Sequence, residues 1–556
     1  MQKKKRSNAM HTRPQDLARV KRTFPSALIA LASCAAITIA ALGYARWANF
    51  GGVDEWLCLS LCSRGIVDMP HSNRPLNLLL SAPAVLLTPN RFEGFLYLHL
   101  AYLALAGWLV WLLVRRLEPQ ARALAFLAAT FAIVWAPLDM SRLAPAGHSM
   151  NSSATFATLA ALVLFLESWQ RRRPLLLLAA LATAFLAARS YEATLGLLAA
   201  APFLLAAAPK PGTEPGRGTG RWLWTVIWET GVVLLALVAV YPLLHDKNRS
   251  FYQGGFLGFD ATPARYLARL ARQYWFHLGP LLDANPALVL HGGVAVAVLV
   301  FLVAALATGS ARSEPTPGRR RLAALALLGL AAAGSGYAIL AFSPGVVDAS
   351  RAQFLSSPGI GLVLAAALLL IASLLPSRAR GPAVIVLAAV IVALGTGRTL
   401  AMQREWDRVS YYDRQRNCLT AMVNEVPALR PGTLLLLIDE DHTWPKSFTF
   451  RHAARLVYGD SVTAHVIGAQ SLFYDLTAEP TGMRVTPWPV VQGPWHEKTT
   501  EHGYDQVIVL RLAQGSLSLL KGWPDSNPTL AAAMARYAPL NTITNSPPPA
   551  SRRVLD

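Results

Sequence analysis

Long apolar blocks recur along this chain, and they constrain its fold more than any other feature. Blocks of about 17–25 apolar residues can cross the roughly 30 Å hydrocarbon core of a bilayer as helices, because a helix satisfies its own backbone groups where water is absent. Hydrophobic residues make up 54% of the chain and charged residues only 15%, which disfavours a soluble protein. We therefore predict about eleven transmembrane helices, at 24–45, 92–114, 122–139, 152–168, 174–188, 193–208, 222–243, 287–308, 322–342, 354–375 and 382–398.

The net charge of +20 is distributed as in a membrane protein, which argues against a nucleic-acid partner. Basic residues fall in alternate loops, and the positive-inside rule assigns such loops to the cytoplasm. They are Lys3–Arg6, Lys21, Arg22, Arg115, Arg116, Arg122, Arg171–Arg173, Lys210, Arg217, Arg221, Arg312, Arg319–Arg321, Arg378 and Arg380. The N-terminus is then cytoplasmic, and the intervening loops lie outside. The first span lacks a small-residue cleavage site, so we interpret it as an anchor.

Three regions follow from this topology. Residues 1–23 form a basic cytoplasmic N-terminus, residues 24–398 form the transmembrane domain, and residues 399–556 form an external domain. In the last region, helix-like and strand-like stretches alternate, with strands expected at Thr433–Ile438, 461–468 and Gln506–Leu512 and helices at 404–426 and 449–458. We predict an all-α polytopic membrane bundle with a small external C-terminal α/β domain. The Ala-, Leu- and Arg-rich composition is typical of a GC-rich bacterial source. Together with the predicted spans, it leads us to expect a bacterial inner-membrane protein whose C-terminal domain is periplasmic or extracellular.

Two external loops, 46–91 and 244–286, contain apolar stretches too short to span the membrane. The first loop has runs at Trp56–Leu61 and Leu76–Leu87, which we expect to form helices lying in the membrane interface. The second carries Arg265, Arg269 and Arg272, which are three or four residues apart and so share a helix face. We expect that face to meet lipid phosphates.

Asp54 and Glu55 form an acidic pair directly after the first span. A carboxylate is a poor base in water, but partial desolvation raises its pKa toward neutrality, and an adjacent carboxylate raises it further. Such a pair at the mouth of a membrane bundle can take a proton from an acceptor hydroxyl. The alternative is that both residues are solvated loop charges marking the end of the span.

The order of these features resembles the GT-C class of membrane glycosyltransferases, in particular polyprenyl-phosphate-sugar transferases of the protein-mannosyltransferase and aminoarabinose-transferase type. The resemblance covers roughly 24–400 and rests on Val53-Asp54-Glu55-Trp56 and Asn73-Arg74-Pro75-Leu76. Arg189-Ser-Tyr191-Glu192 and Asp348-Ala-Ser-Arg351 add support. Members of the class usually have Pro-Pro-Leu where this chain has Arg74-Pro75-Leu76, which leaves the substrate open.

The resemblance implies an inverting glycosyltransferase that moves a sugar from a polyprenyl-phosphate donor to an external glycan, lipid or protein. Asp54 would be the base, and Glu55 would position the acceptor or hold a divalent cation. No cofactor is required by the sequence, although Mg or Mn at Asp54 and Glu55 is possible chemistry. The expected partners are the lipid-linked donor and membrane lipids.

Leaving-group stabilisation needs positive charge near the lipid phosphate. The external candidates are His71, Arg74, Arg189 and Arg351, because a guanidinium can donate two hydrogen bonds to phosphate oxygens. Tyr191 and Glu192 would line the same substrate site. Alternatively, each arginine snorkels at a helix end, and Arg189 and Glu192 form an i,i+3 ion pair.

Other polar groups have structural explanations beside functional ones. Asp139, Arg142 and His148 fall in an external connection that needs polar residues in any case. The run from Asp439 to His442 could coordinate a metal or be a solvated loop after a strand. Cys58 and Cys62 could form a disulfide or be ordinary small residues, and no zinc-type cysteine framework exists.

Two other classes of function remain open. A transporter or flippase of lipid-linked glycans would place polar groups near the bilayer midplane. A membrane assembly factor without catalysis would depend on its C-terminal domain instead, and Asp54, Arg74 and Arg351 could then be replaced without effect.

Overall fold

We describe the protein from a computed structural model. The structure describes residues 14–42, 54–69, 74–143, 146–209, 219–245, 262–282, 285–294, 296–301, 317–342, 352–524, 530 and 537–555.

Up to Val409, the described residues are mainly helical. The helices are α1 (Pro14–Leu42), α2 (Glu55–Ser63), α3 (Ala84–Leu87), α4 (Glu93–Leu117), α5 (Arg122–Val134), α6 (Ser149–Arg171), α7 (Pro174–Ser190), α8 (Thr194–Leu198), α9 (Ala201–Ala207), α10 (Thr219–His245), α11 (Pro263–Leu278), α12 (Arg319–Ala341), α13 (Ser357–Ser373) and α14 (Ser377–Val409). A short helix, Pro286–Leu288, runs into a π-helix at Val289–Gly293.

Membrane-spanning character is clear for part of the predicted set. Within the described residues, five helices are long and apolar enough to cross a bilayer, namely α4, α6, α10, α12 and α14. Shorter apolar helices occupy most of the other predicted spans. The span predicted at 193–208 is interrupted between α8 and α9, and Pro202 stands in the first turn of α9, where its missing N–H costs nothing. The prediction of eleven spans is therefore confirmed only as a mostly helical bundle.

Small residues let the helices of the bundle approach backbone to backbone. A Cβ on Gly329 of α12 would lie 2.7 Å from the carbonyl oxygen of Gly359 in α13, and a Cβ on Gly359 would lie 2.5 Å from that of Gly329. A Cβ on Gly361 would similarly lie 2.5 Å from the Ala128 carbonyl oxygen in α5. Close contact at small residues is a general way to pack helices in lipid, where apolar burial alone gives no preference for protein over lipid.

One end of the bundle, here called the basic end, is held by ion pairs. Arg116 at the end of α4 lies 2.6 Å from Glu167 near the end of α6. Arg321 at the start of α12 pairs with Glu118 and donates to the Ala207 carbonyl oxygen at 2.7 Å. The opposite end of α4 is about 37 Å away, given a rise of about 1.5 Å per residue. The loops that carry the basic residues thus meet at one end of the bundle, and the loops between them lie at the other end.

The C-terminal region is an α/β domain, as the alternation of elements predicts. Its helices are α15 (Tyr412–Glu425), α16 (Ser447–Tyr458) and α17 (Pro489–Gln492). Its strands are β1 (Leu434–Asp439), β2 (Thr463–Ile467), β3 (Tyr474–Glu479), β4 (Gly482–Pro487), β5 (Thr500–Gly503), β6 (Val507–Ala513) and β7 (Ser516–Leu519).

Two sheets organise this domain. In the order β2-β1-β6-β7, β1 is parallel to both neighbours and β7 is antiparallel to β6. Leu436 of β1 lies opposite His465 and Val509. The first four residues of β1 are leucines, all buried, as expected of a strand covered on both faces. A separate antiparallel sheet has the order β3-β4-β5.

The segment between α1 and α4, which we predicted to be an external loop, contributes to the core of the C-terminal domain. Helix α2 is buried from Glu55 to Cys62 and belongs to the same hydrophobic cluster as the leucines of β1. The prediction that Trp56–Leu61 lies in the membrane interface is therefore wrong, since protein covers this helix. The second run differs, because Leu86 and Leu87 of α3 are 81% and 56% exposed, and its place in the interface stays a prediction.

The segment between α10 and α12, which includes the second predicted external loop, contains the predicted amphipathic helix. In α11, Gln273 and His277 are buried, whereas Arg265 and Arg272 are exposed. Arg269 is half-buried and donates to the Ala341 carbonyl oxygen at 3.4 Å. Two of the three arginines thus face away from the protein, and contact with lipid phosphates stays a prediction for them.

The orientation in the membrane is open to a direct labelling test. Gly318 and Thr481 are both exposed, and the four native cysteines are buried. We expect Gly318→Cys to be shielded from an impermeant thiol reagent in intact cells, and Thr481→Cys to react, because basic loops remain in the cytoplasm. Permeabilised cells, in which both should react, are the control. The reverse pattern would put the acidic pair on the cytoplasmic side.

Candidate functional site at the end of the bundle

The acidic pair lies at the start of α2. Asp54 precedes the helix, is partly exposed and makes no side-chain cap. Glu55 is in the first turn and only 4% exposed, where a negative charge is favoured by the helix dipole. A Cβ added to Gly147 would lie 2.8 Å from Glu55 Oε1, so the carboxylate sits against the backbone just before α6. The solvated-loop interpretation is therefore excluded for Glu55.

Arg74, Tyr191 and Glu192, predicted from two distant motifs, lie together. The guanidinium of Arg74 donates from Nε to Glu192 Oε2 at 2.7 Å and from Nη2 to Glu192 Oε1 at 2.6 Å. Its Cζ is 4.2 Å from the centroid of the Tyr191 ring. Burial alone would raise the pKa of Glu192, but the Arg74 charge and hydrogen bonds outweigh it and leave the pKa lowered. Arg74 is thus fixed by a two-pronged ion pair and a ring contact, unlike a snorkelling side chain.

Arg189 and Asp68 extend this cluster. Arg189 Nη1 donates to the Val238 carbonyl oxygen at 3.1 Å, which ties the end of α7 to α10. Burial raises the pKa of Asp68, and the nearby Arg189 charge offsets part of that rise. The ion pair considered between Arg189 and Glu192 is replaced by that of Arg74 with Glu192. Two arginines and two carboxylates therefore share one small region at the end of α7.

Both groups approach the first turn of α6. Glu55 lies against Gly147, as described above, and Arg74 Nη1 lies 3.9 Å from Met150 Sδ. Asn77 Nδ2 also donates to Met150 Sδ at 3.0 Å. Residues 147–150 are thus the common neighbour of the acidic pair and the Arg74 cluster, which places two carboxylates and a fixed guanidinium around one helix start.

Two candidates lie outside the described residues. His71 and Arg351 have no described position, so their place relative to Arg74 remains a prediction.

The polar group between α5 and α6, which we interpreted as the ordinary polar content of a connection, is buried. Asp139 is 0% and Arg142 5% exposed, and Asp139 Oδ1 accepts from the Ser141 N–H at 3.1 Å. Arg142 Nη2 donates to the Ala132 carbonyl oxygen at 3.2 Å. These side chains border a cavity of about 30 Å³ with His99 and Ser152. A space of that size is large enough for one water molecule. We therefore interpret the group as a buried polar cluster that stabilises the bundle.

The carboxylates from Asp439 to Asp441 are engaged in hydrogen bonds and an ion pair within the domain. Asp439 Oδ2 accepts from the Trp444 N–H at 2.6 Å, and Glu440 pairs with Arg511 at 2.8 Å. Asp441 accepts from the Gln514 and Gly515 N–H groups at 2.8 and 2.7 Å. No group of three or more His, Cys, Asp or Glu side chains suited to a metal occurs in the described part of the chain.

The cysteines are ordinary core residues. Cys58 and Cys62 are buried, unpaired thiols in α2. Burial, and after it the charge of Asp54, raises the pKa of Cys58, so the thiol stays protonated. The alternative of a disulfide is not realised.

Sequence inspection missed the residues that hold α2. Gln415, His452 and Glu497 contact it from the C-terminal domain. They lie more than 350 residues beyond α2 in the chain, and no local motif marks them. The only sequence signal for α2 was its apolar run, which is equally compatible with a helix facing lipid and a helix facing protein.

Comparison with known proteins gives a loose likeness to a solved structure. No protein-family profile matches the chain, and no curated protein matches it. Among solved structures, a crystal structure of ArnT from Cupriavidus metallidurans bound to undecaprenyl phosphate is similar, with 13% identity and a TM-score of 0.37. The likeness covers 79% of this chain and 85% of that chain. A TM-score of this size identifies neither a family nor a site, so the proposals below depend on the residues of this chain.

Proposed function

We propose that the protein is a membrane glycosyltransferase that moves a sugar from a polyprenyl-phosphate donor to an external acceptor. The observation that carries the proposal is the convergence of Glu55 and Arg74 on residues 147–150, at the end of the bundle opposite the basic end. A carboxylate pair and a guanidinium around one helix start supply the two charges that transfer from a lipid phosphate needs.

The proposed reaction uses each group once. Asp54 takes the proton of the acceptor hydroxyl, and the acceptor oxygen forms a bond to the anomeric carbon of the sugar. The bond from that carbon to the phosphate oxygen breaks, and its electron pair leaves with the polyprenyl phosphate. Attack opposite the leaving group gives inversion. Arg74 and Arg189 offset the charge on the departing phosphate.

Glu55 would position the acceptor. Its carboxylate packs closely against Gly147, and this contact fixes its place. A divalent cation at the acidic pair remains a proposal, and no step above requires one. Glu192 would hold the Arg74 guanidinium in place between turnovers, which limits the side-chain entropy lost when the donor phosphate binds.

The guanidinium geometry of Arg74 provides the test of this proposal. We expect Arg74→Lys to weaken binding of a polyprenyl phosphate, and Arg74→Ala to weaken it more, because lysine keeps the charge but not the planar fork. Loss of a charge-assisted contact should cost about 1.5–3 kcal/mol, roughly ten- to a hundredfold in Kd. The measurement is Kd for the lipid phosphate in nanodiscs, together with the transfer rate.

Arg91→Ala is a matched control for that series. Arg91 is exposed, pairs with Glu93 at 3.0 Å, and lies at the start of α4, so its loss removes an arginine from the same end of the bundle without touching the cluster. Equal affinity for the Arg, Lys and Ala forms at position 74, or an equal loss in Arg91→Ala, would reject the phosphate role of Arg74.

A further inference from the structure

Helix α2 is held by the C-terminal domain through a series of polar contacts. Trp56 Nε1 donates to Gln415 Oε1 at 2.8 Å. Ser60 Oγ lies 3.0 Å from His452 Nδ1. Just beyond the helix, Arg64 Nη2 donates to the Trp495 carbonyl oxygen at 2.8 Å.

These contacts follow one face of the helix. Trp56, Ser60 and Arg64 are four residues apart, and such positions are neighbours on a helix surface. The chain after the helix is held as well, because the Trp495 Nε1–H donates to the Asp68 carbonyl oxygen at 3.1 Å. The C-terminal domain therefore contacts α2 along its full length and the chain for about one turn beyond it.

The side chain of the C-terminal domain that contacts Trp56 is itself fixed by its surroundings. Gln415 is fully buried, and its Nε2 donates to the Thr443 carbonyl oxygen at 3.1 Å. The Trp56 ring also packs at 5.1 Å from Phe92 and 5.9 Å from Tyr412. A shift of α2 would thus break hydrogen bonds and ring contacts together.

A buried ion network closes the far end of the contact. Glu497 is 2% exposed at its side chain and lies 2.8 Å from both Arg451 and Arg455 and 3.5 Å from Arg64. One carboxylate therefore joins the end of α2 to α16, which carries the other two arginines.

The near end of α2 carries Asp54 and Glu55, where the added Cβ on Gly147 would lie 2.8 Å from Glu55 Oε1. We infer that Gln415, His452 and Glu497 are positioning residues that hold the acidic pair against the start of α6. The C-terminal domain then acts on the reaction by fixing the base. The catalytic half of this inference rests on the proposed function, whereas the mechanical half does not.

The test replaces Gln415 with an isosteric apolar residue. Gln415→Met removes the acceptor of the Trp56 N–H and the donor to Thr443, and keeps the volume. We expect hydrogen exchange of the α2 amides, residues 55–63, to rise about tenfold, because protection follows local opening. We also expect kcat to fall about tenfold with the donor KM changed less than about twofold, since misplacing a reacting group acts on the chemical step.

Tyr504→Phe is the matched control. Tyr504 is 3% exposed and its hydroxyl donates to the Glu479 carbonyl oxygen at 2.6 Å, so this variant loses one buried hydrogen bond in the same domain but away from α2. It should leave exchange in residues 55–63 at the wild-type level. Equal exchange of α2 in Gln415→Met and Tyr504→Phe would overturn the inference.

A second variant guards against misfolding of the first. Ser60→Ala removes only the hydroxyl that meets His452, and it too should raise exchange in α2. An unchanged exchange rate in a folded Ser60→Ala protein would also count against the inference. If exchange rises but the wild-type protein transfers no sugar, the proposed function fails while the positioning of α2 stands.

Discussion

Asp54→Asn is expected to lower the rate of sugar transfer about a hundredfold or more while leaving the protein folded in the membrane. The carboxamide keeps the shape of the carboxylate but cannot take a proton, and loss of general-base action has roughly this cost. Folding should survive because Asp54 is partly exposed and makes no side-chain cap to α2. The measurement is transfer from a lipid-linked donor by purified protein in nanodiscs.

Glu93→Gln is the matched control for that variant. Glu93 is a carboxylate at the same end of the bundle, half-exposed and paired with Arg91, and its neutralisation should change the rate less than about twofold because surface pairs contribute little. Wild-type activity in Asp54→Asn would remove Asp54 from the base role and shift that role to Glu55.

Glu497→Gln is expected to destabilise the C-terminal domain by about 3–5 kcal/mol, since it leaves buried arginines without their counter-charge. The three guanidinium contacts at 2.8, 2.8 and 3.5 Å depend on that one carboxylate. Asp460 compensates little, because its side chain is 72% exposed. Thermal unfolding followed by the fluorescence of the buried Trp444 and Trp495 should show a fall in Tm on the order of 10 °C.

The same variant should change the response to acid. Burial alone would raise the pKa of Glu497, but Arg451 and Arg455 outweigh it and hold the pKa well below its ordinary value. Because the folded-state pKa is depressed, its contribution is fully present above about pH 4.3 and is lost as the pH falls below that. Glu497→Gln should therefore lose less stability than wild type on acidification.

Glu440→Gln is the control for Glu497→Gln. Glu440 lies in the exposed pair with Arg511, so its neutralisation should cost less than about 1 kcal/mol. An equal loss of stability in both variants would contradict the stabilising role of the buried ion network.

Periodicity and composition were sufficient for a mostly helical bundle and for the main elements of the C-terminal domain, but not for the number of spans. The predicted strand at 461–468 appears as Thr463–Ile467, and the predicted helix at 449–458 appears as Ser447–Tyr458. The antiparallel strands β3 to β5 were not predicted. β3 and β5 are only partly buried, so the alternation of apolar and polar residues along them is weak.

The placement of α2 was mispredicted for a different reason. An apolar run such as Trp56–Leu61 needs an apolar environment, and lipid and a protein core supply it equally well. Only the tertiary contacts of Trp56 and Ser60 with distant residues decide between them.

The candidate site was partly accessible from the sequence. The family-like motifs supplied Arg74, Tyr191 and Glu192, and the structure joins them. The pairing of Arg74 with Glu192 could not be read from the chain, because 118 residues separate them and Arg189 offered a nearer partner. The burial of Asp139 and Arg142 was equally hidden, since a polar connection looks the same whether it meets water or a helix bundle.

Helix α14 links the helical bundle to the C-terminal domain. Its 33 residues span about 50 Å at 1.5 Å per residue, against a hydrocarbon core of roughly 30 Å. Its last turn carries the exposed Glu405–Arg408 pair, and α15 begins only three residues after it ends. The C-terminal domain thus follows this long helix almost directly, without a long flexible linker. We expect a bilayer whose thickness changes the tilt of this helix to move the C-terminal domain and α2 together, so that the rate of the proposed transfer would depend on lipid composition.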